Sequence, residues 1–125
     1  MDGLDLSKSQ KRIARELIET GLLKEYENGI RKIDRIISSW KEGRLEIKET
    51  YFKVFEKLEK FDKHIGERYN SMSSSNYLFI IAGQLYDGLI PMESLDQFDQ
   101  DVKDKILFIY GLTDKWQSLI IVRNV

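Results

Sequence analysis

The chain has no cysteine, a single proline and a single histidine. Without cysteine there is no disulfide, no thiolate metal site and no thiol nucleophile, a composition suited to a reducing compartment. Pro91 is the only residue of its kind, so everything before it is free of the strongest helix breaker. His64 stands alone, and the glutamate that a di-iron bundle places three residues before each ligand histidine is replaced by Phe61.

Long apolar runs are also missing. The most apolar stretch, Tyr77 to Ala82, is followed at once by Gly83 and Gln84, far short of the roughly 20 residues a bilayer requires. The start of the chain carries Asp2 and Asp5 with only two leucines ahead of a basic stretch, the reverse order of a secretory signal. A cytoplasmic location with no membrane span is the expectation. Glycine-rich phosphate loops, a Walker lysine, a Gly-x-Ser-x-Gly elbow and a His-Glu-x-x-His pattern are absent too. No enzymatic activity, cofactor or metal is expected.

What the chain does have is helical periodicity. Leu23, Tyr26, Ile30, Ile33, Ile37 and Trp40 alternate at steps of three and four, and so do Ile47, Tyr51, Val54, Leu58, Phe61 and Ile65. Such spacing keeps an apolar seam on one side of a helix. The link from Lys41 to Leu45 is too short for anything except a fold-back. The fold class is therefore all-α, an antiparallel bundle of four to five helices built on a long hairpin from about 22 to 72. At 125 residues it is read as a single domain over 1–125.

Further elements follow from local signals. A first helix opens at Ser7 or Ser9 as N-cap and is expected to break at Gly21. Asn28-Gly29, a turn in isolation, sits inside the heptads, where packing overrides it. Tyr77, Leu78, Phe79, Ile80, Ile81, Ala82, Leu85 and Tyr86 surround most of one helix, which reads as the central one. Gly88 is placed to end it as a left-handed cap. Ser94 and Gln97 fit a capping box for a last helix whose inward stripe is Leu95, Phe98, Val102, Ile106 and Ile109. Gly111 is expected to stop that helix, leaving a tail, 113–125, as either a short helix or an extended arm.

Function is less legible. Net charge is −1, and 16 basic against 14 acidic residues up to Asn70 leave +2 there. That lacks the basic surplus of most phosphate binders, which favours a protein partner. The leading expectation is a non-enzymatic protein-interaction module that can associate with itself as a homodimer, with Trp40, Trp116, Leu119 and Ile121 as partner contacts.

A second reading, a nucleic-acid-associated regulator, uses the basic strip Lys8, Lys11, Arg12 and Arg15, although Glu16 and Glu19 follow and no aromatic is interleaved. A third is a small-molecule-binding bundle with His64, Arg68 and Tyr69 as a polar pocket near Tyr77 and Tyr86. Arg68 occupies a seam position and needs a partner, for which the hairpin pairing suggests Glu19 or Glu16. His64 reads as a solvated or capping side chain. The acidic run Glu93, Asp96, Asp99, Asp101 and Asp104 has no central glycine and does not match a calcium loop.

Overall fold

The computed structural model of the chain describes residues 6–123, with side chains described to residue 115. The fold is all-α. Four α-helices follow one another, α1 (Lys8–Lys41), α2 (Ile47–Tyr69), α3 (Tyr77–Tyr86) and α4 (Gln100–Arg123), with a short 3-10 helix, Met92–Gln97, between the last two. None of the described helices is long and apolar enough to cross a membrane.

Ser7 starts α1 as an N-cap: its hydroxyl oxygen accepts from the Gln10 amide at 3.2 Å, and its carbonyl accepts the first helical bond from Lys11. The helix does not break at Gly21. It runs unbroken through Gly21 and Gly29 to Lys41, and the reason is close packing. A Cβ on Gly21 would stand 2.4 to 2.9 Å from the side-chain amide of Gln84. The glycine is a notch that lets α3 approach α1, where Gln84 Nε2 donates to the Ile18 carbonyl at 3.0 Å. Helical propensity loses about 1 kcal/mol at such a glycine, which one good packing contact outweighs.

The ends of α1 and α3 rest on positive-φ glycines. At the end of α1, Gly43 has φ of 81°, its amide bonds the Trp40 carbonyl, and the Arg44 amide reaches back to Ser39. Gly88, with φ of 73°, repeats the arrangement after α3: its amide bonds Leu85 and the Leu89 amide bonds Gln84. These pairs of bonds satisfy the last carbonyls of each helix in the Schellman manner.

The expected capping box at Ser94 does not open α4. Pro91 fixes an extended entry, the Ser94 amide bonds the Pro91 carbonyl, and Gln97 Nε2 donates to the Ser94 carbonyl, so the segment closes on itself as the 3-10 helix. α4 starts later, with the Asp99 carbonyl accepting from Lys103. It then passes through Gly111, where a Cβ would meet nothing, and continues to Arg123. The stretch after Gly111 is thus part of a continuous helix as far as that residue. Glycine's propensity penalty alone does not end a helix that has several turns on each side.

The chain divides into two compact units. One comprises Met1–Leu22 together with Met72–Val125, and the other is Leu23–Ser71. The first holds nearly all the buried apolar side chains, among them Ala14, Ile18, Ile81, Leu95 and Ile106 at 2% exposure or less. The expected stripe Leu95, Phe98, Val102, Ile106 and Ile109 is buried throughout, and α3 is buried around most of its girth with Phe79 exposed. Gln10 ties the N-terminal turn of α1 to the start of α4, its Oε1 accepting from the Asp99 amide at 2.9 Å.

The second unit is the helical hairpin formed by the C-terminal part of α1 and α2. Thr50 and Tyr69 are the buried residues of α2. Thr50 lies at the first turn, where its hydroxyl donates to the Glu46 carbonyl at 2.8 Å.

Candidate functional site

The hairpin carries two features, an apolar groove and a polar cluster beside one end of it. The groove arises because the apolar stripe of each helix lies to one side of the line on which the helices touch. On α1 the inward positions are Glu25 and Gly29, both buried, whereas Leu23, Tyr26 and Ile30 are exposed. On α2 Ile47, Tyr51, Phe55 and Leu58 are exposed, while Val54, Phe61 and Ile65 are half-buried. Both stripes open on the same side, so Tyr26, Ile30, Ile33, Leu58, Phe61 and Ile65, with Asp62 at the rim, enclose a groove of about 290 Å³.

Gly29 forms part of its lining. Phe61 lies against that glycine so closely that a Cβ would fall 2.7 to 2.9 Å from the ring. The Asn28-Gly29 pair is helical, as packing requires.

The polar cluster centres on Glu25, which is 6% exposed. One carboxylate oxygen accepts from His64 Nε2 at 2.6 Å. The other accepts from Arg68 Nη1 at 3.2 Å and from the Tyr69 hydroxyl. All three donors come from the last two turns of α2. A carboxylate taken out of water is strongly disfavoured unless opposite charge and donors replace its hydration, and here a guanidinium, an imidazole and a phenol do so. Glu25 serves as the shared acceptor of the cluster.

Arg68 does meet a carboxylate, but Glu25 rather than Glu19 or Glu16. Helical side chains tilt toward the N-terminus of their own helix. In an antiparallel pair Arg68 therefore leans back along α2 while Glu25 leans back along α1, and the two converge although Glu25 lies six residues beyond Glu19. His64 is likewise engaged with Glu25, where a solvated or capping role was expected. Glu25 itself was missed because it sits between Lys24 and Tyr26 in a charged stretch. The available signal was the seam position of Arg68 combined with that tilt.

The remaining candidates are scattered. Trp40, at 40% exposure, lies one residue before the end of α1. Trp116, Leu119 and Ile121 lie on the last turns of α4, and their side chains are outside the described residues. Lys8, Arg12 and Arg15 are exposed and Lys11 is half-buried. Arg12 faces Glu16 at 3.7 Å, which offsets part of the strip's charge.

The acidic run is spoken for in part: Asp96 pairs with Lys103 at 2.6 Å, and Asp104 accepts from Gln100 at 2.7 Å. Among the described residues no group of three or more histidine, aspartate or glutamate side chains is arranged to hold a metal ion. Tyr86 packs near Tyr110 with ring centroids 6.4 Å apart. Neither Tyr77 nor Tyr86, nor His64, Arg68 or Tyr69, lines the groove.

On the outer surface of α1, Glu27 bridges Arg31 and Lys24 at 3.1 and 3.3 Å. The hydrogen bond from Arg31, then that from Lys24, holds its carboxyl below the usual carboxylate range. Comparison of the chain with family models, with curated proteins and with solved structures finds no match.

Proposed function

We propose that this chain is a non-enzymatic protein-interaction module of the cytoplasm, and that the open face of the hairpin is the surface it presents. The observation that carries this reading is the exposure of a continuous apolar stripe on both helices, from Leu23 and Tyr26 to Ile47 and Tyr51. Scattered apolar residues are ordinary on protein surfaces, whereas a contiguous patch flanked by charge marks an interaction site. The groove over Gly29 supplies a hole for an inserted side chain, the usual way one helix receives another. The Glu25 cluster locks the register of the two helices at one end of that face, so the face is held in one shape before a partner arrives.

Nucleic acid binding has less in its favour. The basic strip is short, Glu16 lies against Arg12, and the two signs are interspersed along the rest of α1.

The test is site-specific photo-cross-linking in the cells that make the protein, with the reactive group placed at Ile30 or Tyr51 on the face and at Lys60 on the outer side of α2. Protein adducts at the first two positions and none at the third are the expected result. Adducts of equal yield at all three, or none at Ile30 and Tyr51, would contradict the proposal.

A further inference from the structure

The extent of the open face decides what fits it. A single docked helix would occupy the groove between Tyr26, Ile30 and Leu58. Leu23, Ile47, Tyr51 and Phe55 are more than half exposed and lie outside the walls of that groove. Ile47 lies on the same line of α2 as Leu58 and Ile65, and Leu23 on the same line of α1 as Ile30. The apolar face therefore runs past both ends of the groove, and a partner that covers it must be apolar over the length of the hairpin. This chain carries one such surface already.

Area points the same way. Leu23, Tyr26, Ile30, Ile47, Tyr51 and Phe55 are each 43 to 68% exposed. With whole aromatic side chains worth 150–250 Å² and the aliphatic ones toward the lower end of that range, these six expose on the order of 700 Å². One partner of a standard interface contributes about 800 Å². Charge does not oppose the pairing, because a net charge of −1 leaves two copies with almost no mutual repulsion.

We propose that the occupant of the open hairpin face is a second copy of this chain, the two hairpins meeting face to face as a symmetric four-helix interface. The proposal rests on the interaction reading above and names its partner. In a two-fold interface the same patch is used on both copies, and two antiparallel helix pairs stacked through apolar seams make a four-helix bundle. Ile30, the most exposed of the six at 68%, becomes one of the central contacts.

The experiment is light scattering on the purified full chain across a concentration series, with far-ultraviolet circular dichroism as a check on folding. The mass is expected to rise from one chain to two. Ile30→Glu places a carboxylate in the interface twice per dimer and is expected to weaken association by roughly 100-fold or more. Tyr51→Glu, on the other helix, is expected to do the same. Both positions are exposed in the single chain, so helical content should not change. Phe108→Glu, at an exposed site on α4, should leave the dimer intact.

The mass of one chain at every concentration would overturn the proposal. So would a dimer that survives both face variants, or one abolished by Phe108→Glu. A monomer that still forms adducts at Ile30 and Tyr51 in cells leaves the interaction reading standing and removes only self-pairing. A monomer without such adducts removes both.

Discussion

Ile18 and Ile30 belong to the same uninterrupted helix, and one is 2% exposed while the other is 68% exposed. The unit that contains Ile18 spends its apolar residues on a closed core. Tyr69 is the only buried apolar side chain described in the unit that contains Ile30, and its hydroxyl is tied to Glu25. That unit's buried charge, Glu25, meets three donors from α2. A closed core gives stability and leaves little to offer a partner. An open face with a polar lock gives a fixed shape and keeps its apolar surface available.

Substitution of isoleucine should expose the contrast most strongly. Ile81→Ala removes a wholly buried side chain from the closed unit and is expected to destabilise by about 2–5 kcal/mol in chemical denaturation. Ile30→Ala, measured where light scattering gives the mass of one chain, should change stability by no more than about 0.5 kcal/mol. Equal losses at the two sites would dissolve the distinction.

Next in size is the polar lock. Glu25→Ala removes the carboxylate that His64, Arg68 and Tyr69 share and should cost about 3 kcal/mol. Hydrogen exchange should show the loss centred on α2, with amides of α3 and α4 least affected. A uniform loss of protection across all helices would mean that the lock is not local to the hairpin.

The smallest effects compare three helical glycines. Gly21→Ala drives a methyl group into the Gln84 amide in the closed unit and should lose about 1–3 kcal/mol by overpacking. Gly29→Ala meets the Phe61 ring, but that ring borders an open groove and can swing into it, so the net loss should be smaller than at Gly21. Gly111→Ala meets nothing and should gain about 0.5–1 kcal/mol from propensity alone. Thermal melts of the three variants rank them directly, and a larger loss at Gly29 than at Gly21 would show that the hairpin is packed as tightly as the core.

The same residues show what a sequence reveals of such a chain. The hairpin, the buried α3, the stripe of α4 and the cap at Gly88 were all legible, because each is written in local spacing or in a turn that demands positive φ. Gly21 was not, since a glycine that breaks a helix and one that receives Gln84 look alike until the residue 63 positions away is in place. Gly111 misled for the opposite reason: nothing packs there, and propensity alone was too weak to end α4.

At the site, His64, Arg68 and Tyr69 could be named as a group from their shared helix. Their common partner could not, because matching seam positions across the hairpin ignores the backward lean of the side chains that joins them to Glu25. The openness of the face was equally hidden. A heptad stripe specifies that residues share a side, and it carries no information on how far that side is turned from its neighbour.

The division of the chain also sets an order of events during synthesis. Leu23–Ser71 is continuous in sequence, whereas the other unit leaves off at Leu22 and resumes at Met72. The hydrogen bond between Gln10 and Asp99 spans 89 positions, so that unit cannot close until α4 has left the ribosome. The hairpin can form well before then, and by doing so it shortens the loop that the rest of the chain must close. For the interval in between, the nascent chain displays an apolar helical face with no finished core beside it. That face is therefore exposed to chaperones and to other nascent chains earlier than any surface of the closed unit.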